Sequence, residues 1–264
     1  MLDDIIIGQY LDRNSTVHKL DARTKISVII LYIIAIFLLD SFLGYLALAG
    51  FILLSLLLSK IEFKYLFRSI KPLIFIILFT FVIHLFMTRG GEVLWQWRFL
   101  RIEEEGFQMG LFMAFRLIFL IMFTSLLTLT TSPIELTDGL EKMLNPLKKI
   151  GVPAHELAMM MTIALRFIPT LLEEAKKIMQ AQKARGADFE SGNLIQKAKS
   201  LIPLLIPLFV NAFRRADELA LAMEARCYRG GENRTRMKEL RFARRDYLTL
   251  GTSLIYLISV AIIL

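Results

Sequence analysis

From residue 26 to residue 59 the chain is almost continuously apolar, broken chiefly at Asp40-Ser41 and Gly44. As one helix this stretch would reach ~50 Å at 1.5 Å per residue, well past a hydrocarbon core of ~30 Å. It reads instead as a hairpin of two short spans, 26–39 and 42–58, turning at Asp40, with Lys25 and Lys60 snorkelling at their ends. Pro72 opens a third span, 72–87. Proline is tolerated there because the first helical N–H has no partner within the helix. A fourth span covers 107–130 and a fifth 247–264.

Between the fourth and fifth spans the pattern changes. Residues 133–246 carry 20 Lys/Arg and 14 Asp/Glu, and a segment of that length is too long for a structureless loop. A short helix over 133–144 is broken off by Asn145-Pro146 and Gly151-Val152-Pro153. From 155 to 183 apolar residues recur at Leu157, Met161, Ala164, Ile168, Leu171, Ala175 and Ile178, a three-to-four spacing that marks one helical face. From 194 to 226 they recur at Ile195, Ala198, Ile202, Leu205, Phe209, Ala212, Phe213, Ala216, Leu219 and Met223. Pro169, Pro203 and Pro207 should kink these long helices.

Composition agrees with this alternation of blocks. The 264 residues are 56% hydrophobic yet 21% charged, and mean hydropathy is +0.57; soluble domains run at about 45–50% apolar. The apolar content excludes disorder, the single Cys227 excludes a disulfide scaffold, and His18, His84 and His155 match no zinc spacing. The net charge of +8 is that of a membrane chain collecting Lys/Arg on one side, so no nucleic-acid partner is expected. Asp3, Asp4, Asp12 and Asp21 in the first 25 residues argue against a cleavable signal peptide.

Loop charges orient the spans. The leader carries Arg13, Lys19, Arg23 and Lys25, and the segment after the second span carries Lys60, Lys64, Arg68 and Lys71. The loop 89–106 instead holds Glu92, Glu103, Glu104 and Glu105 against three arginines, with Trp95 and Trp97 suited to an interface. This places the N-terminus and the segment 133–243 inside the cell and the C-terminus outside. Three parts follow: a leader with four spans (1–132), a cytoplasmic helical domain (133–243) and a last span (244–264), in an all-α polytopic membrane protein.

Both long helices of the inserted segment stop on the same pattern. One ends in Ala184-Arg185-Gly186 and the other in Ala225-Arg226-Cys227. Arginine complements the C-terminal dipole, and glycine beyond it accepts a left-handed backbone, so each could be a helix cap alone. Two matching ends also suit a pair of projecting guanidiniums that dock into carboxylate-lined grooves, since the planar fork binds carboxylates bidentately. There is no P-loop, and His155-Glu156 lacks the second histidine of a zincin. No catalytic residue, metal or cofactor is expected.

These features, with Gly8-Gln9-Tyr10, the run from Ser15 to Lys25, and Leu165-Arg166-Phe167-Ile168-Pro169 leading through Glu173-Glu174 to Gly186, resemble the transmembrane T component of energy-coupling factor (ECF) transporters over essentially the whole chain. The resemblance implies a non-catalytic coupling subunit. It would link two cytoplasmic ABC-type ATPases to a small membrane S component that binds a vitamin or similar micronutrient. Residues 184–186 and 225–227 would be the ATPase contacts. Cys227 departs from the glycine often found there. Apolar faces too long to bury one another would be covered by the S component, at Leu205, Phe209 and the adaptable Met161. The alternatives are a conventional ABC importer permease with its own substrate path and an intramembrane enzyme, which would need a polar cluster within the spans. Arg116, deep in the fourth span, is a functional candidate by position or a structural partner of Asp40. His18 and Asp21 are expected either to cap or to pin the leader to the cytoplasmic helices.

Overall fold

The computed structural model describes residues 10–97, 100–189, 193–230 and 240–263. Of the residues named above, Asp3, Asp4, Gly8 and Gln9 lie outside these, as does Leu264 at the end of the fifth span. The helices in chain order are α1 (Ala22–Leu38), α2 (Phe42–Ser59), α3 (Phe63–Ile70), α4 (Ile74–Met87), α5 (Glu104–Thr130), α6 (Pro133–Leu144), α7 (Ala154–Ala184), α8 (Leu194–Ser200), α9 (Ile202–Ala225) and α10 (Arg244–Ile263). An antiparallel hairpin of β1 (Val93–Trp97) and β2 (Leu100–Glu103) fills most of what the sequence pattern leaves as the loop 89–106. The protein is an all-α polytopic membrane protein apart from this small ribbon.

Two elements depart from the sequence reading. The third span starts at Phe63 rather than Pro72, because Phe63, Leu66, Phe67 and Ile70 already form a helical face despite Lys64 and Arg68. Pro72 has no N–H to donate and lies in a 3-10 turn, Lys71–Leu73, that joins α3 to α4. The long helix expected over 194–226 is interrupted at Leu201, where α8 ends and α9 begins. Pro203 cannot donate to Lys199, so the α-helical ladder lapses for one turn. Pro169 and Pro207 lie inside continuous helices.

The helices long and apolar enough to cross a membrane are α2, the continuous stretch Phe63–Met87, α5, α7 and α10. Helix α1, with 17 residues, reaches ~25 Å by helix rise. Helix α7 qualifies at the lowest mean hydropathy of the five, 1.2, and its C-terminal half carries Glu173, Glu174, Lys176, Lys177 and Lys183.

The described residues fall into two compact units. In the first, built from Gly8–Gly139 and Leu240–Leu264, helices α1, α2, α5 and α10 meet over a core of Tyr32, Ile36, Leu48, Ile52, Phe123 and Leu257. The Tyr32 ring lies 4.3 Å from that of Phe123. Helix α5 packs closely on α4 through glycines: a Cβ at Gly106 would sit 2.8 Å from the Thr88 carbonyl, and one at Gly110 would sit 3.1 Å from that of Phe81. Small residues admit such backbone approach between membrane helices. Arg116, 12% exposed at its side chain, pairs with Asp40 at 3.4 Å and lies over the Phe37 ring.

At the leader end of this unit the polar groups are tied together. Asp21 caps α1, accepting from the Arg23 N–H at 2.9 Å, and its carboxylate holds the Arg23 guanidinium through bonds of 3.1 and 2.9 Å. Arg23 also donates to the Leu240 carbonyl and covers the Phe242 ring. Asp246, 2% exposed, accepts from the N–H of Asp21 at 2.8 Å, the Thr24 hydroxyl at 3.2 Å and the Ala243 N–H at 2.8 Å. The C-terminal carbonyls of α5, which lack helical partners, accept from the Leu11 N–H and from Lys25 Nζ, the latter at 2.8 Å. Asp21 thus takes the capping role expected of it, at the start of α1, and through its N–H ties the leader to Asp246 at the start of α10. His18 closes the leader on itself, through Ser15 and the Leu11 carbonyl.

Candidate functional site

The second unit, within Leu140–Glu239, contains both arginine motifs. Its two long helices run antiparallel. Glu174 on α7 accepts from Asn211 on α9 and pairs with Arg215 at 3.3 Å. Further back along α7, Met159, Thr162 and Arg166 share a hollow with Met223, Arg226 and Tyr228 from the end of α9. Arg185 lies 11 residues beyond Glu174, and Arg226 lies 15 beyond Asn211 in the opposite direction. Helix rise then separates the two arginines by ~39 Å.

Each arginine occupies the same backbone position. Arg185 is the C-cap of α7 (φ −88°, ψ 8°) and Arg226 that of α9 (φ −91°, ψ 12°). The Gly186 N–H bonds the Lys183 carbonyl at 3.0 Å and the Ala187 N–H that of Gln182 at 3.0 Å. Likewise the Cys227 N–H bonds Glu224 at 2.8 Å and the Tyr228 N–H bonds Met223 at 3.0 Å. Both are Schellman motifs, which need a left-handed residue after the cap. Gly186 supplies it at φ 88° and Cys227 at φ 55°. The cysteine therefore adopts the conformation that glycine takes at the other end, and the motif survives the departure.

The capping reading of the sequence is thus realised in the backbone, and it leaves the side chains unspent. Ala184, Arg185, Gly186, Ala225, Arg226 and Cys227 are all exposed. Neither guanidinium has an ion-pair partner among the described residues. The two ends differ in their surroundings. The hollow of about 550 Å³ beside Arg226 is bordered also by Arg166 and Arg229, with no carboxylate lining it among the described residues. Three guanidiniums around one recess select an acidic occupant.

The sequence reading did not foresee the tie that fixes this end. The Tyr228 hydroxyl meets His155 Nε2 at 3.3 Å, and His155 Nδ1 meets Glu141 at 3.1 Å. The turn after Arg226 is thereby held on the start of α7. No local signal marks a pairing between residues 73 positions apart. Among the described residues no group of His, Cys, Asp and Glu is assembled that could hold a metal.

The apolar surface assigned to a membrane partner is exposed. Along α9, Ile202, Leu205, Ile206, Phe209, Val210 and Phe213 follow one another at helical spacing and are each 43–68% exposed. On α7, Leu157, Met160 and Met161 are 40–55% exposed. An apolar face of this extent marks an interaction surface or a lipid contact.

Comparison with known proteins covers most of this architecture. The chain matches the CbiQ family, described as cobalt transport protein, over residues 13–237. It is 60% identical over 249 residues to the energy-coupling factor transporter transmembrane protein EcfT of Clostridium kluyveri, covering 94% of this chain and 92% of that one. The protein of the same name from Bacillus subtilis is 50% identical over 246 residues, covering 93% of each chain. That of Lactococcus lactis is 46% identical over 254 residues, covering 96% of each. With both arginine-capped helices inside the matched region, this chain belongs to the CbiQ/EcfT family of transmembrane components of energy-coupling factor transporters.

Proposed function

We propose that this chain is the coupling subunit of an importer, linking two cytoplasmic ABC-type ATPases to a small S component that binds a vitamin or similar micronutrient. It performs no catalysis itself; ATP hydrolysis in the partners supplies the work. The observation that carries the reading is the pair of identically built helix ends whose arginines are exposed, without ion-pair partners among the described residues and ~39 Å apart by helix rise. One groove cannot receive both, so two partner sites are required, as two ATPases would offer. The recess beside Arg226 takes an acidic side chain, and Arg185 presents the same fork at the far end.

In this reading residues 133–243 form the cytoplasmic coupling domain, including α7 despite its length. The exposed stripe through Leu205 and Phe209, with Met161, receives the S component. A permease with its own substrate path would dock its ATPases through a short coupling loop, which two arginine-capped ends do not resemble. An intramembrane enzyme would need a polar cluster, and Arg116 is engaged with Asp40.

The test is the composition of the purified complex. The wild-type chain should recover two ATPase subunits and one small membrane protein. A Leu205→Lys, Phe209→Lys variant should keep the ATPases and lose the small subunit. Recovery of ATPases alone with the wild-type chain would favour the permease, and recovery of no partner would refute the coupling role. Orientation is read on the sole cysteine. The exposed Cys227 should react with a membrane-impermeant maleimide only in opened cells, and labelling in intact cells would reverse the topology.

A further inference from the structure

Between α1, α2, α5 and α10 in the first unit lies a cavity of about 1070 Å³, at the upper end of the ~300–1,000 Å³ of ordinary ligand pockets. Its composition is polarised. At the leader end its border holds Lys19, Lys25 at the start of α1, Lys60 at the end of α2 and Arg245 at the start of α10, and among the described residues no Asp or Glu lines it. Lys19, Lys60 and Arg245 are exposed and form no ion pair among the described residues.

Lys25 is 6% exposed, and its ammonium donates only to the carbonyls of Thr130 at 2.8 Å and His18 at 3.4 Å. Asp21, Asp246 and Glu135 act on it from beyond contact distance. A buried cation without a carboxylate in contact is costly and invites an anion.

The deeper walls are apolar, with Val28, Ile29, Phe51 and Phe123. Phe51 lies nine residues from Lys60 and Tyr256 eleven from Arg245, so the cleft runs ~13–16 Å from its basic end by helix rise. That is one leaflet of a ~30 Å hydrocarbon core. Leu54, Leu58 and Tyr256 on its border are 56%, 48% and 36% exposed, so the cleft opens sideways along α2 and α10, where acyl chains lie.

We infer that this cleft is a binding site for one acidic phospholipid of the leaflet on the leader's side, its phosphate held by Lys19, Lys25, Lys60 and Arg245 and its acyl chains lying along Phe51 and Tyr256. Basic pockets between membrane helices bind anionic headgroups in this manner. The site is separate from the arginine motifs and needs no partner protein, so it is testable on the chain alone.

The experiment is titration of the delipidated full-length chain in detergent with phosphatidylglycerol or phosphatidylcholine, read by native mass spectrometry. One phosphatidylglycerol should be retained at least tenfold more tightly than phosphatidylcholine. Lys19→Gln with Lys60→Gln should weaken it by about 25-fold, about fivefold per lysine near a membrane surface, and Lys19→Arg with Lys60→Arg should retain it. A Cβ at Gly50 would meet nothing within 4 Å, so Gly50→Trp has room to fold, fills the cleft and should abolish retention of both lipids. Equal retention of the two lipids, or unchanged phosphatidylglycerol binding in the glutamine variant, would overturn the site. Displacement of the lipid by millimolar inorganic phosphate would reduce it to a soluble-anion site and overturn the lipid assignment.

Discussion

Replacing Arg185 and Arg226 by alanine separates the two uses of a helix-capping arginine. In the isolated chain both side chains are exposed and make no ion pair among the described residues, and the Schellman hydrogen bonds run through backbone atoms that alanine keeps. Only the interaction with the helix dipole is lost, about 0.3–1 kcal/mol at each end. In a complex where each guanidinium is desolvated against a carboxylate, truncation strands that carboxylate and costs about 2–5 kcal/mol, or roughly 30- to several-thousand-fold in affinity. If the ATPases associate with each other, a single variant keeps one anchor and re-engages at high effective concentration. Single variants should therefore lose less than the double, and Arg226→Ala should be the more severe because its recess also gathers Arg166 and Arg229. The assay is ATPase recovery on the membrane subunit at low and moderate salt, beside thermal unfolding of the chain alone. Lysine at either position should rescue only in part, since a point charge does not reproduce the fork. A double variant that unfolds like wild type and retains both ATPases and uptake would show that the arginines are caps and nothing more.

Three further outcomes follow from other parts of the molecule. Asp246→Ala leaves the Asp21 and Ala243 N–H groups and the Thr24 hydroxyl without their acceptor and should lower stability by at least about 3 kcal/mol, from charge-assisted bonds of about 1.5–3 each; an unchanged melting curve would show that the leader is held by other contacts. Cys227→Gly removes left-handed strain of about 1–2 kcal/mol at a cost of about 0.5–1 in unfolded-chain entropy, so the end of α9 should gain up to about 1.5 kcal/mol, read as a raised melting temperature. Burial, followed by the repulsion of Lys25 and against the pull of the Leu11 carbonyl, holds the His18 ring below the usual histidine pKa. Its contribution is therefore complete above about pH 6.5 and is lost as pH falls through the lower folded value. Amide exchange across residues 11–20, corrected for intrinsic rates, should rise at pH 5.5 relative to 7.5, and a flat profile would refute this. Asp21 does not share the window: burial raises its pKa, Arg23 outweighs that, and the net value lies below the ordinary carboxylate.

What the sequence made legible is what periodicity and punctuation encode. The α1–α2 turn was readable because Asp40-Ser41 interrupts an apolar run and Ser41 supplies a cap. Helix α6 and the breaks at Asn145-Pro146 and Gly151 were equally plain. Helix α3 was obscured because Lys64, Arg68 and Lys71 read as loop charges, while their neighbours kept helical spacing. The break at Leu201 falls beside Pro203, where the sequence marks a kink, but the apolar pattern continues in phase across it and does not show that the helix is divided there. In the candidate site, the repeated Ala-Arg pattern was visible, but the left-handed Cys227 was not, since cysteine carries no preference for that conformation. The ties Tyr228–His155 and Asp246–Asp21 join residues 73 and 225 positions apart, and nothing local announces either.

The pairing of Arg116 with Asp40 has a mechanical consequence. Thr130 ends α5 beside Lys25, and Arg116 lies 14 residues earlier, so the α1–α2 turn rises only ~21 Å above that end in a hydrocarbon layer of ~30 Å. Asp40, 86% exposed at its side chain, cannot be left in hydrocarbon. With Thr130 level with one face of the bilayer, that carboxylate would stay hydrated only if the opposite leaflet dipped toward the turn, by water entry or by local thinning, at fractions of a kcal/mol per Å of mismatch, or if a membrane neighbour covered it. Such a dimple would be elastic energy held in the lipid beside the protein, and a membrane neighbour of matching profile would release it on arrival.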